Sequence, residues 1–364
     1  IFDRTAPILS TVHIESDNEN NTSIAIADDN IDLSFTSNEP LILDSIFVSI
    51  TDQSADISES GGIYTATITM TGSEPEGIIS YTIDYKDRAG NPGIQVLSTT
   101  DESTVSHDVY PPEIEMLSIS SSNLDSTWAK IGDTIFITFT ASEVLDNINL
   151  FITGDFSNCV ELGSRKYRGS HTLDSDDNEG EISFSLTYTD LGGAEGTPMN
   201  MTTNDTQVRL DKTPPEFSLI SMVTNNIYGD SLAGLGTIDT LSFTISEQYR
   251  DLVVELAESE KTAIQEGLAF YGIHTFTESN EDGWVGFALS MTDSASNESG
   301  VYSNTQDGTL VRFDGTLPSV DSVFFFSNNN NDSSLCIAGD SLYLNYFTNE
   351  LFRSVDIQIA ENAP

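Results

Sequence analysis

Three series of carboxylates recur along the chain at a nearly constant interval. Asp3, Asp108, Asp211 and Asp314 each open an Asp-x-x-x-Pro segment, at steps of 105, 103 and 103 residues. Glu39, Glu143, Glu247 and Glu350 each close a strand-like apolar run, and Asp87, Asp190 and Asp293 each begin a turn rich in Gly, Ala, Ser and Asn. The chemistry open to such residues is the binding of a hard cation. Calcium takes roughly six to eight oxygens in loose geometry, which suits carboxylates mixed with loop carbonyls. Without a cation, two carboxylates about 4 Å apart repel by roughly 4 kcal/mol at an effective dielectric near 20. The competing reading is structural: the seam aspartate caps a turn, the proline fixes the path into the first strand, and the last aspartate shapes a hairpin. Both readings stand at this level.

Independent markers on one period define an internal repeat of about 103 residues. The expected boundaries are residues 1–2 for the tail of a preceding repeat, 3–107, 108–210 and 211–313 for three whole repeats, and 314–364 for a partial fourth. Ile1-Phe2-Asp3 matches the ends Leu210-Asp211 and Phe313-Asp314, so the window is expected to belong to a longer array.

Within a repeat the apolar pattern has period two. Ile31, Leu33 and Phe35 alternate with polar residues, as do Ile137 and Phe139, Leu241 and Phe243, and Leu344 and Tyr346. That spacing, with β-branched and aromatic residues, indicates half-buried strands. Tyr64, Tyr167 and Tyr271 are placed in register on a later strand, and Tyr85, Tyr188 and Met291 read as core. Helical spacing occurs only around Gln248–Glu266, where the repeat register favours strand and loop instead. Seven short strands per hundred residues describe an all-β fold of tandem immunoglobulin-like seven-strand β-sandwiches, expected to form an extended rod.

The pairing of Asp3-Arg-Thr-Ala-Pro7 with Asp87-Arg-Ala-Gly-Asn91 resembles the bacterial Ig-like repeat domains of large cell-surface adhesins. The second repeat departs from both motifs, with Tyr110 in place of threonine and a turn reading Asp190-Leu-Gly-Gly-Ala194; the third turn reads Asp293-Ser-Ala-Ser-Asn297. The resemblance implies a Ig-like sandwich array at a cell surface and leaves function open, because such modules serve as spacers, binders and filament subunits.

The sandwich topology brings Asp108, Glu143 and Asp190 to one pole, facing Glu74 and Glu76 of the preceding repeat. Likewise it gathers Asp211, Glu247 and Asp293 opposite Asp174, Asp176, Asp177 and Glu179, and Asp314 and Glu350 opposite Glu278, Glu281 and Asp282. Asp3, Glu39 and Asp87 complete the series, with Ca2+ as the expected cofactor.

A net charge of −45, from 58 acidic and 13 basic residues, argues against nucleic acid and anionic membranes as partners. No apolar run reaches the length of a membrane span. The two cysteines, Cys159 and Cys336, fall at non-equivalent places, so no internal disulfide is expected. His13, His107, His171 and His274 are read as unrelated positions that build no shared site, and a pairing of His171 with Asp174 as solvated loop chemistry. Trp128 and Trp284 are read as core or rim. No nucleophile elbow, phosphate loop or zinc spacing occurs, so no enzyme is expected.

The expectation is a non-enzymatic, extracellular, cell-surface segment acting as stalk or filament shaft, stiffened by calcium at its junctions. Its partners would be neighbouring repeats or subunits of the same protein, with any cell-surface or glycan ligand met outside this window. The competing classes are a ligand- or glycan-binding module, with Gln248–Gly272 as its candidate segment, and the accessory repeats of a secreted enzyme.

Overall fold

The computed structural model describes residues 2–351 and 353–359. Ile1, assigned above to a preceding repeat, and the last residues of the partial repeat, to Pro364, lie outside them. The chain forms two compact units, residues 1–213 with 294–297, and residues 214–293 with 298–364.

In the first unit, a four-stranded antiparallel sheet takes the order Leu9–Ser16, Asn30–Ser37, Ile63–Thr69, Asp56–Ser60. A three-stranded sheet of Gln53–Ser54, Phe47–Ile50 and Tyr81–Asp84 shares a core with it, making seven strands in two layers. A small third sheet joins the two-residue strands Ile24–Ala25, Ser106–His107 and Gly77–Ile78. The same three sheets recur in the second repeat, from Ile114–Ser121 to Arg209–Leu210, and in the second unit from Phe217–Thr224 to Arg312–Phe313. The Gln248–Glu266 segment is strand and loop, as Tyr249–Leu256, Ser259–Lys261 and Ile264–Glu266. The second unit continues into an antiparallel pair, Val320–Ser327 with Leu342–Thr348. Val323, Phe325 and Phe347 on this pair are exposed.

Alternation decides which side chains meet. Ile31, Leu33 and Phe35 are buried while their neighbours face outward. Phe35 stacks on Tyr64 across the strand pair at 5.6 Å, and Phe139 on Tyr167 at 5.4 Å. The third member of this series is Phe270, stacked on Phe243 at 5.7 Å; Tyr271 is one residue out of register and points to the other face. The tyrosine hydroxyls carry a second duty. Those of Tyr64 and Tyr167 accept the N–H groups of Leu41 and Leu145, both at 3.0 Å. Each of these residues lies two beyond the acid that closes the strand, so an aromatic core pair holds the loop bearing Glu39 or Glu143.

His171 and His274 share one register position, opposite Ile135 and Asp239 respectively, contrary to the reading of the histidines as unrelated. Asp239 stands where the first two repeats have Ile31 and Ile135. It is 0% exposed, and neither carboxylate oxygen has a hydrogen-bond partner. His274 faces it across the strand pair with its Nε2 likewise unpartnered. Trp284 is 69% exposed, so it lies outside the core.

Burial pushes the Asp239 carboxyl from 3.8 up to about 7. A raised folded-state value means that folding favours the proton. The stability of this repeat is then full at acid pH and declines as pH rises through about 7. Replacing Asp239 with isoleucine should remove this decline and stabilise the protein near pH 8 by up to about 4 kcal/mol. Thermal melts near pH 5 and pH 8 read the effect, and an Asp239→Ile variant melting no higher than the parent near pH 8 would refute it.

Candidate metal centre

Asp108, Glu143 and Asp190 come together as the topology requires. One carboxylate oxygen from each lies within 4.8 Å of the others, all inside the first unit. Each residue is held by its backbone. The Asp108 N–H donates to the Ala25 carbonyl at 2.9 Å, which fixes the seam against a buried alanine of the preceding repeat. Glu143 sits in the bend after strand Thr134–Ala141, pinned on its far side by the Tyr167 hydroxyl. Asp190 ends strand Phe184–Asp190 and is 1% exposed.

The turn after Asp190 is built from glycines for a steric reason. A Cβ on Gly193, whose φ is +91°, would lie 2.1 Å from Nδ2 of Asn20, and one on Gly192 would lie 3.0 Å from Ile24. The Gly192 carbonyl accepts the Asn18 amide at 3.1 Å, while the same amide also donates to Asp29 at 2.8 Å. The end of the first repeat and the hairpin of the second are thus locked beside the carboxylates without using them.

The electrostatics record the crowding. Burial raises the Glu143 carboxyl from 4.5 to about 7, helped by the charges of Asp108, Asp190 and Glu76 and opposed by Arg165. Asp108 is also raised, by burial first and then by Asp190 and Glu76. Asp190 uses Oδ1 to accept the N–H groups of Gly192 and Ala194, at 2.8 and 2.9 Å. Its Oδ2 is buried and has no hydrogen-bond partner. A desolvated, unpartnered carboxylate oxygen is costly to bury unless something pairs with it.

The first group, Asp3, Glu39 and Asp87, has the same 4.8 Å clustering. Here the turn aspartate is satisfied: Asn91 donates its N–H to Oδ1 at 2.8 Å and its amide to Oδ2 at 2.7 Å. Burial would raise Asp87, but those bonds outweigh it and hold it below the ordinary range; Glu39 is raised, by burial and then by Asp3 and Asp87. In the third set, Asp293 is buried and Asp211 and Glu247 are half-buried; Asp211 belongs to the first unit and the other two to the second. In the fourth, Asp314 caps its seam through the Thr316 N–H at 3.2 Å, and Oε1 of Glu350 is buried without a partner. The seam aspartates cap as the structural reading predicts: Thr5 and Thr213 N–H groups donate to Asp3 and Asp211 at 2.9 and 3.0 Å. The capping accounts for one oxygen of each of these aspartates, as the structural reading requires.

The facing loops sort differently from expectation. Glu74 is buried and turned into its own loop, where Thr71 and Gln53 donate to it; burial opposes this, yet the bonds bring its carboxyl down to about 2. Its neighbour Glu76 is the acid felt at Asp108 and Glu143. Asp177 caps the Asp174 N–H at 2.8 Å and meets His171 Nε2 at 3.2 Å, so the partner of His171 is Asp177, with Asp155 at 3.9 Å, and the pair is part-buried where a solvated pairing with Asp174 was expected. Nothing in the sequence marks Asp177 over Asp174 except its register with Glu74, the residue that caps the same loop one repeat earlier.

No family model and no curated protein matches this chain. Among solved structures, it is similar to one from a 1.5-MDa bacterial ice-binding adhesin, at 14% identity over 86% of this chain and 100% of that one, with a TM-score of 0.46. It is also similar to a Ca2+-stabilized adhesin of an Antarctic bacterium that binds ice, at 13% identity over 89% and 79% of the two chains, TM-score 0.43. A third is domains A168–A170 of titin, at 15% identity over 86% and 99%, TM-score 0.32.

A glutamate whose folded-state value is raised from 4.5 to about 7 favours the fold only while protonated. In chelator, stability should therefore fall as pH rises from about 4.5 through about 7. Glu143→Gln should flatten that segment of the profile. An unaltered pH dependence of the melting temperature in the variant would show that Glu143 does not carry the proton.

Proposed function

We propose that this chain is a segment of a large, repetitive, extracellular cell-surface protein. It acts there as a non-enzymatic stalk or filament shaft whose junctions are stiffened by calcium. The observation that carries the reading is the meeting of Asp108, Glu143 and Asp190 with a buried, partnerless Oδ2 on Asp190. The donor set is all oxygen and all acidic, which favours a hard cation over zinc or copper. Such a site ties the seam to the strand ends of one sandwich, so an occupied site opposes bending at the point where two sandwiches meet. The −45 charge supports the same setting, since self-repulsion is tolerable where divalent cations and salt are abundant. Among the described residues, no helix is long and apolar enough to cross a membrane.

The repeats follow the boundaries 3–107, 108–210, 211–313 and 314–364, and copies of this design succeed one another in the natural protein. Binding that favours only the folded state adds about 2.7 kcal/mol per site when free calcium is about 100 times its dissociation constant. Melting the chain in millimolar calcium and again in excess chelator tests the proposal. The expected result is a higher melting temperature in calcium, with magnesium giving less. Equal melting temperatures in calcium and chelator would overturn the metal and leave a calcium-independent array.

A further inference from the structure

We infer that the junction of the first and second repeats is the highest-affinity cation site of this chain, because two departures from the repeat motif each leave a carboxylate there without the side-chain donor its counterparts have. The inference rests on the calcium reading above and adds an order of preference among its sites.

The first departure is in the turn. Asn91 occupies both oxygens of Asp87. Ala194 stands in that place in the second repeat and can offer only its N–H, to Oδ1 of Asp190. Oδ2 is left buried and partnerless, within the cluster formed with Asp108 and Glu143.

The second departure is in the seam. Where threonine follows the seam aspartate by two residues, its hydroxyl tethers the acid of the preceding loop. Thr213 Oγ1 donates to Glu179 at 3.3 Å, and Thr316 Oγ1 donates to Asp282 at 2.5 Å with the Gly315 N–H on the other oxygen. The corresponding acid one repeat earlier is Glu76, and the corresponding seam residue is Tyr110. Tyr110 is exposed, and no hydrogen bond joins it to Glu76 among the described residues. Glu76 is exposed and lacks that tether. The cluster itself is three carboxylates of the second repeat, one with an oxygen already stripped of water, and the exposed Glu76 of the first repeat is the acid that can add a fourth. Calcium affinity rises with the number of charged ligands and with the rigidity of the site.

Calorimetric titration of the full chain with calcium chloride tests this. Removing one charge that faces a divalent ion across a few ångströms of water-like dielectric should weaken binding about tenfold. Glu76→Gln should therefore weaken the tightest class of sites by that order, and Ala194→Asn, which restores the amide partner of Asp190, should weaken the same class. Tyr110→Thr should weaken it less, by tethering Glu76, while Glu179→Gln should leave it unchanged. Melting temperatures in chelator verify that each variant is folded. If the parent chain binds no calcium, the calcium reading itself fails. If the parent binds calcium and Glu76→Gln and Ala194→Asn both leave the tightest class unchanged, the order of preference is overturned and the calcium reading survives.

Discussion

Like charges brought within a few ångströms of one another must be protonated, hydrated or neutralised, and most of what is distinctive in this chain follows from that constraint. The sandwich itself needs no acids: its layers are joined by aliphatic and aromatic side chains in three separate cores. The carboxylates stand where strands end and the chain passes from one copy to the next. There the backbone cannot satisfy itself through a ladder, and aspartate supplies a cap for a turn N–H. A cap uses one oxygen. The second oxygen is then a polar atom in partly buried surroundings, and its fate differs from copy to copy.

Position is set by groups other than the acids. The Tyr64 and Tyr167 hydroxyls fix the loops carrying Glu39 and Glu143, from rings stacked in the core. The alanine carbonyls of Ala25, Ala129 and Ala233 hold the N–H groups of Asp108, Asp211 and Asp314 at 2.9, 2.9 and 3.0 Å. Repulsion among the acids therefore cannot be relieved by simple swinging apart of the backbone. Burial first, and the neighbouring acids after it, then raise the proton affinity of Glu143 and Asp108.

The period, the strands and the convergence of Asp108, Glu143 and Asp190 were legible in the sequence because each rests on long-range regularity. What regularity could not convey was the identity of a partner a few residues away. Glu74 and Glu76 are equivalent to a reader counting charges. The structure separates them, since Thr71 and Gln53 satisfy one and leave the other turned outward. Asp239 broke the apolar alternation at its strand's first inward position and could have been found by asking what the Ile31 and Ile135 position holds in the third copy. The same question asked of His171 and His274 would have put them on one register, and asked of Tyr64 and Tyr167 would have chosen Phe270 over Tyr271.

Departures from a repeat are usually treated as noise around a consensus, but here they decide which carboxylate oxygens have a donor. At the turn, asparagine makes an aspartate structural by bonding both of its oxygens, and alanine leaves one of them buried and bare. At the seam, threonine restrains an acid of the neighbouring loop and tyrosine does not. Neither substitution touches the fold, because both lie on backbone that is already fixed by its own hydrogen bonds. The framework stays constant, and the difference resides in whether a carboxylate oxygen has been given a donor.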